Sequence, residues 1–98
     1  MPEIILTVQH EAGLHARPLA RFVRMVKQFD VQVQVYNLSA QRGPANGASP
    51  LAMLLLGVQQ GHQVRIVASG PQAEPALEAL RELIESNFVD ESVEPGSG

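Results

Sequence analysis

The stretch from Val31 to Pro50 reads VQVQVYNLSAQRGPANGASP. It opens with strict alternation, Val31, Val33 and Val35 on one side and Gln32 and Gln34 on the other. A period of two predicts a strand over 31–37 with one buried face. Gly43, Pro44, Asn46 and Gly47 follow, and they predict a turn, a short second strand and a loop within 38–48. A hairpin here forces at least one antiparallel strand pair. Ser49-Pro50 then marks a helix start, with Ser as N-cap and Pro at the first helical position, where its missing N–H costs nothing.

Toward the N-terminus, residues 3–9 are rich in β-branched side chains and predict a strand. Residues 16–28 predict an amphipathic helix. Leu19, Phe22, Val23 and Val26 fall on one face, and Arg17, Arg21, Arg24 and Gln28 fall roughly opposite. Pro18 fits within the first turn of that helix, which puts His15 at or close to the N-cap. Downstream of Pro50 a short apolar helix ends near Gly57, and residues 63–69 predict another strand. Residues 73–86 predict a second long helix with Ala73, Ala76, Leu77, Leu80, Leu83 and Ile84 as its core stripe. The order is strand, helix, strand, strand, helix, strand, helix. It predicts a two-layer α+β domain whose helices cover one sheet face and leave the other open to water. The domain is expected over 1–86, with 87–98 a loose acidic tail.

The 98 residues allow one core. Cys is absent, which excludes disulfides, zinc–thiolate sites and a Cys nucleophile. Apolar runs are too short for a membrane span, and the Met1-Pro2-Glu3 start shows no secretory signal, so a cytoplasmic setting is expected. The net charge of −3 is uneven. Residues 1–70 carry six Lys/Arg and three Asp/Glu, whereas 71–98 carry one Arg and seven Asp/Glu. With that balance and only four aromatic residues, nucleic-acid binding is not expected. His10 and His62 lack the spacing of metal ligands and are read as surface or turn residues, so no metal site is expected.

The segment Gly13-Leu14-His15-Ala16-Arg17-Pro18 carries the chemistry. An imidazole at a helix start lies beside unbonded N–H groups, those of Ala16 and Arg17, that can face an anion, and Arg17 adds a full positive charge. Such a ring can accept a phosphoryl group and keep it among N–H donors. From composition and spacing alone, an ordinary capping histidine with a surface arginine is the plainer reading, because histidines at helix starts are common.

The same segment resembles the active-site motif of the HPr family, the histidine-containing phosphocarriers of the sugar phosphotransferase system. The resemblance runs from about residue 3 to residue 86. It includes Asn46 and Ser49 before an apolar stretch ending Leu56-Gly57-Val58, the Gln60-Gly61 turn, and Ala76-Leu77 with Ala79-Leu80 in the last helix. It implies an open-faced sandwich, a four-stranded antiparallel sheet with three helices on one face in the order βαββαβα. It implies that His15 accepts a phosphoryl group on Nδ1 from phospho-enzyme I and passes it to a histidine of an enzyme IIA, with Ala16 and Arg17 stabilising the phosphate. No cofactor, and no turnover of its own, is implied. Ala20, Leu51 and Leu54 match an apolar docking patch, with Arg21, Arg24 and Lys27 as its basic rim, a composition suited to transient docking on acidic partners. Ser49 matches a serine that a kinase modifies in some members, although Pro50 and a longer 37–48 segment depart from their pattern. A monomer is expected, since a carrier presents one face to successive partners.

Three other readings remain open at the level of residues. One is a carrier in a regulatory phosphorelay. Another is a module that binds an anion at the same helix start without covalent chemistry. The last is an interaction domain in which His15 is dispensable.

Overall fold

The structure is a computed structural model that describes residues 1–89. The elements are β1 (Glu3–Thr7), α1 (Ala16–Val26), β2 (Gln32–Asn37), β3 (Arg42–Asn46), α2 (Pro50–Leu55), β4 (Gln63–Ser69) and α3 (Ala73–Glu85). The strands form one antiparallel sheet in the order β1-β4-β2-β3. The expected order βαββαβα and the antiparallel sheet are both present.

Alternation sets the sheet's two faces. Val33 and Val35 from β2 and Val64, Ile66 and Ala68 from β4 point into the core, where Phe22, Val23 and Val26 of α1 and Leu77, Leu80 and Ile84 of α3 cover them. Their outward neighbours Gln32, Gln34 and Gln63 are exposed. On this open face Arg65 donates two hydrogen bonds to one Glu3 carboxylate oxygen, at 2.9 and 2.6 Å, and lies 5.2 Å from the centre of the Tyr36 ring. The hydrogen bond to Glu3, and then its negative charge, raise the guanidinium pKa. The hairpin of β2 and β3 forms as its turn residues predict, with a register shift between Val35 and Asn37. Pro44 sits in β3, an edge strand, where a missing N–H is tolerated.

Asn37 is the one fully buried polar side chain among the described residues, and its amide is fully engaged. Nδ2 donates to the Leu56 carbonyl at 2.9 Å and lies 3.2 Å from His62 Nδ1, while Oδ1 accepts from the Ala40 N–H at 3.1 Å. It ties the end of β2 to the end of α2.

The packed chain runs past residue 86, where the loose tail was expected to begin. Phe88 is buried in the core cluster, and its N–H donates to the Leu83 carbonyl at 2.7 Å. Left-handed backbone at Asn87 and Phe88 turns the chain back to place that ring. Residues 90–98 of the expected tail lie outside the described residues. Among those described, no helix is long and apolar enough to cross a membrane.

Candidate functional site

The start of α1 is held against the rest of the molecule by Gly13. Its φ is +62°, and a Cβ there would lie 2.2 Å from the Val58 carbonyl oxygen, so only glycine fits. The Leu14 N–H donates to that same oxygen at 3.0 Å, and the Leu14 side chain is fully buried. These contacts fix the backbone immediately before His15.

His15 is the N-cap residue of α1, in extended conformation, and Pro18 falls in the first turn, where its missing N–H is tolerated. Its side chain does not cap the helix. Instead Nδ1 lies 3.0 Å from the Ala12 carbonyl oxygen. A carbonyl only accepts, so Nδ1 carries a hydrogen in this arrangement. The ring must therefore turn away from Ala12 before Nδ1 meets any electrophile. Ala16 has φ +53°, in the left-handed region that residues with a Cβ rarely adopt. Such strain concentrates at functional sites, and here it sits on the residue next to the histidine. The Leu19 N–H is the first to bond back along the helix, to the His15 carbonyl at 3.4 Å. The Ala16 and Arg17 N–H groups precede it, and Pro18 has none. Arg17 is exposed, and no hydrogen bond or ion pair to the described residues holds its guanidinium.

An apolar groove of about 490 Å³ opens beside this helix start, between α1 and α2. Ala16, Leu19, Ala20 and Val23 line one side, Pro50 and Leu54 the other, and Arg24 and Lys27 contribute its basic edge. Ala20, Arg24, Lys27 and Leu54 thus come together as expected, and Leu51 stands exposed on the same short helix. Arg21 departs from the expected rim. It is half-buried, does not line the groove, and donates to the Phe88 carbonyl at 3.0 Å. Leu55 is also exposed, at 68%, although it does not line the groove. α2 thus offers Leu51, Leu54 and Leu55 to solvent and buries only Met53, more apolar surface than its packing needs.

Ser49 caps α2, its Oγ accepting from the Ala52 N–H at 3.2 Å. His62 is half-buried in a turn, where its Nδ1 accepts from the Gln59 N–H at 3.2 Å.

Residues 2–86 match the family described as PTS HPr component phosphorylation site. A multiphosphoryl transfer protein of Salmonella typhimurium (strain LT2) is 44% identical over 77 residues, covering 79% of this chain and 20% of that protein. The chain therefore spans about a fifth of the length of that relative. The phosphocarrier protein HPr of Haloferax volcanii is 42% identical over 82 residues, covering 84% of this chain and 91% of the relative. Among solved structures, HPr-C-His from Thermoanaerobacter tengcongensis superimposes with a TM-score of 0.84 at 38% identity, over 90% of this chain and 96% of that one. A matched region running from β1 to the end of α3, on a shared fold, places this chain in the HPr family.

Proposed function

We propose that this protein is a phosphocarrier of the sugar phosphotransferase system. His15 takes a phosphoryl group from phospho-enzyme I and hands it to a histidine of an enzyme IIA. The observation that carries this reading is the juxtaposition at the start of α1. A half-buried imidazole, two leading backbone N–H groups and an uncommitted arginine stand at the head of an apolar groove with a basic edge.

The chemistry follows from those parts. The His15 ring leaves the Ala12 carbonyl, and water moves its hydrogen from Nδ1 to Nε2. The Nδ1 electron pair then forms the new N–P bond as the donor's P–N bond breaks, and that bond's electron pair returns to the donor histidine. The negative oxygens of the transferred group face the Ala16 and Arg17 N–H groups and the Arg17 guanidinium, which stabilise charge in an in-line transfer. The reverse sequence delivers the group to the next histidine, so the protein is a stoichiometric intermediate, acting as a monomer in the cytoplasm. Ala20, Leu51 and Leu54 form the apolar centre of docking, and Arg24 and Lys27 steer acidic partners to it. A serine kinase acting on Ser49 would add negative charge beside this groove and oppose that docking.

A loading and chase experiment tests the reading. The protein is charged with phosphoenolpyruvate, magnesium and enzyme I, separated, and mixed with an enzyme IIA of the same organism. Transfer of the label to enzyme IIA is expected. A protein that binds inorganic phosphate reversibly but takes no label would contradict the reading and favour the non-covalent anion-binding module.

A further inference from the structure

The loop leading into α1 contains a second histidine whose placement links the core to His15. The His10 ring packs edge-on against the buried Phe88 ring, with centroids 5.8 Å apart and planes at 85°. Its carbonyl accepts from the Gly13 N–H at 2.8 Å, closing a turn over residues 10–13. Its Nδ1 accepts from the Ala12 N–H at 3.0 Å. Ala12 in turn offers its carbonyl to His15 Nδ1 at 3.0 Å. Ala12 thus holds one histidine through its N–H and the other through its C=O.

We propose that His10 is a positioning residue for His15. It braces Ala12 so that the Ala12 carbonyl keeps a hydrogen on His15 Nδ1, and this fixes the orientation and tautomer of the unphosphorylated ring. The consequence for transfer rests on the carrier reading above. An Nδ1 bonded to phosphorus has no hydrogen to give Ala12, so the bond to Ala12 exists only in the unphosphorylated protein. An interaction made in one of two states shifts their equilibrium by that difference alone. The brace therefore favours departure of the phosphoryl group, which is the direction a carrier needs when it meets its acceptor.

The geometry also specifies which substitutions preserve the brace. A side chain accepting from the N–H two residues ahead is the pattern of an Asx turn, and the carboxamide oxygen of Asn supplies it. Phe has no acceptor but keeps a ring against Phe88. His10→Asn retains the brace and loses the ring contact, and His10→Phe does the opposite.

The test is ring nitrogen–proton correlation on the full-length ¹⁵N-labelled protein, at about pH 8.5, above the ordinary histidine range. Wild type is expected to show His15 mainly in the Nδ1–H form. His10→Phe is expected to lower the ratio of Nδ1–H to Nε2–H about fivefold, the scale of one ordinary hydrogen bond. His10→Asn is expected to keep the wild-type ratio, and thermal melts establish that both variants are folded. A wild-type ratio in His10→Phe, or a ratio in His10→Asn as low as in His10→Phe, would overturn the proposal. If the expected pattern appears while the wild type takes no phosphoryl group from phospho-enzyme I, the brace stands and the carrier reading falls.

Discussion

Gly13 and Ala16, three residues apart, both hold left-handed backbone before and at the start of α1, yet only one of them is glycine. At Gly13 the requirement is absolute, because the space a Cβ would fill belongs to the Val58–Gln59 backbone. Gly13→Ala is expected to destabilise the fold by more than about 1 kcal/mol, since the substitution is incompatible with the native conformation. At Ala16 the strain comes from the side chain itself. Ala16→Gly is expected to raise stability by about 1 kcal/mol, the scale of the penalty for an L-residue in that region. Urea unfolding of the two variants checks both signs, and a loss in Ala16→Gly would remove the strain argument. The sequence announces Gly13 by its identity. An alanine with positive φ has no such signal, because alanine ordinarily avoids that region.

At the scale of elements, α2 presents two separable properties. Its start depends on the Ser49 cap, and Ser49→Ala is expected to cost about 1 kcal/mol in denaturant unfolding. Its outer surface contributes little to folding, because Leu51 and Leu54 are already 66% and 44% exposed. Replacing both by Ser is expected to leave the thermal midpoint nearly unchanged. The same change is expected to raise about tenfold the protein concentration needed for half-maximal phosphorylation by enzyme I, the scale of losing apolar anchors from an interface. A melt that collapsed with the activity would instead assign these leucines to the core. The elements themselves were legible because each carries its own period, two for β2 and β4, and about four for α1 and α3. The docking groove was only partly so. Ala20, Arg24, Lys27 and Leu54 share helix faces that spacing reveals, whereas the diversion of Arg21 to the Phe88 carbonyl depends on where the chain returns after α3.

At the scale of the molecule, that return sets the boundary of the fold. Phe88 follows a helix and precedes residues rich in Asp, Glu, Gly and Pro, so composition hides one aromatic among tail-like neighbours. In the structure its ring is buried, it flanks His10, and its carbonyl takes Arg21. Phe88→Ala is expected to destabilise the protein by about 3–5 kcal/mol, as deletion of a core aromatic does. A change within experimental error would return residue 88 to the tail. Phe88 joins the end of α3, the face of α1 and the loop before His15.

Intact mass shows whether His15 carries the phosphoryl group. The protein is incubated with phosphoenolpyruvate, magnesium and purified enzyme I, beside His15→Ala, and the products are held in acid and in base. One added phosphate on the wild type, absent from the variant, lost in acid and kept in base, is the expected result. A folded wild-type protein that gains no phosphate, or a variant that gains it equally, would contradict the account.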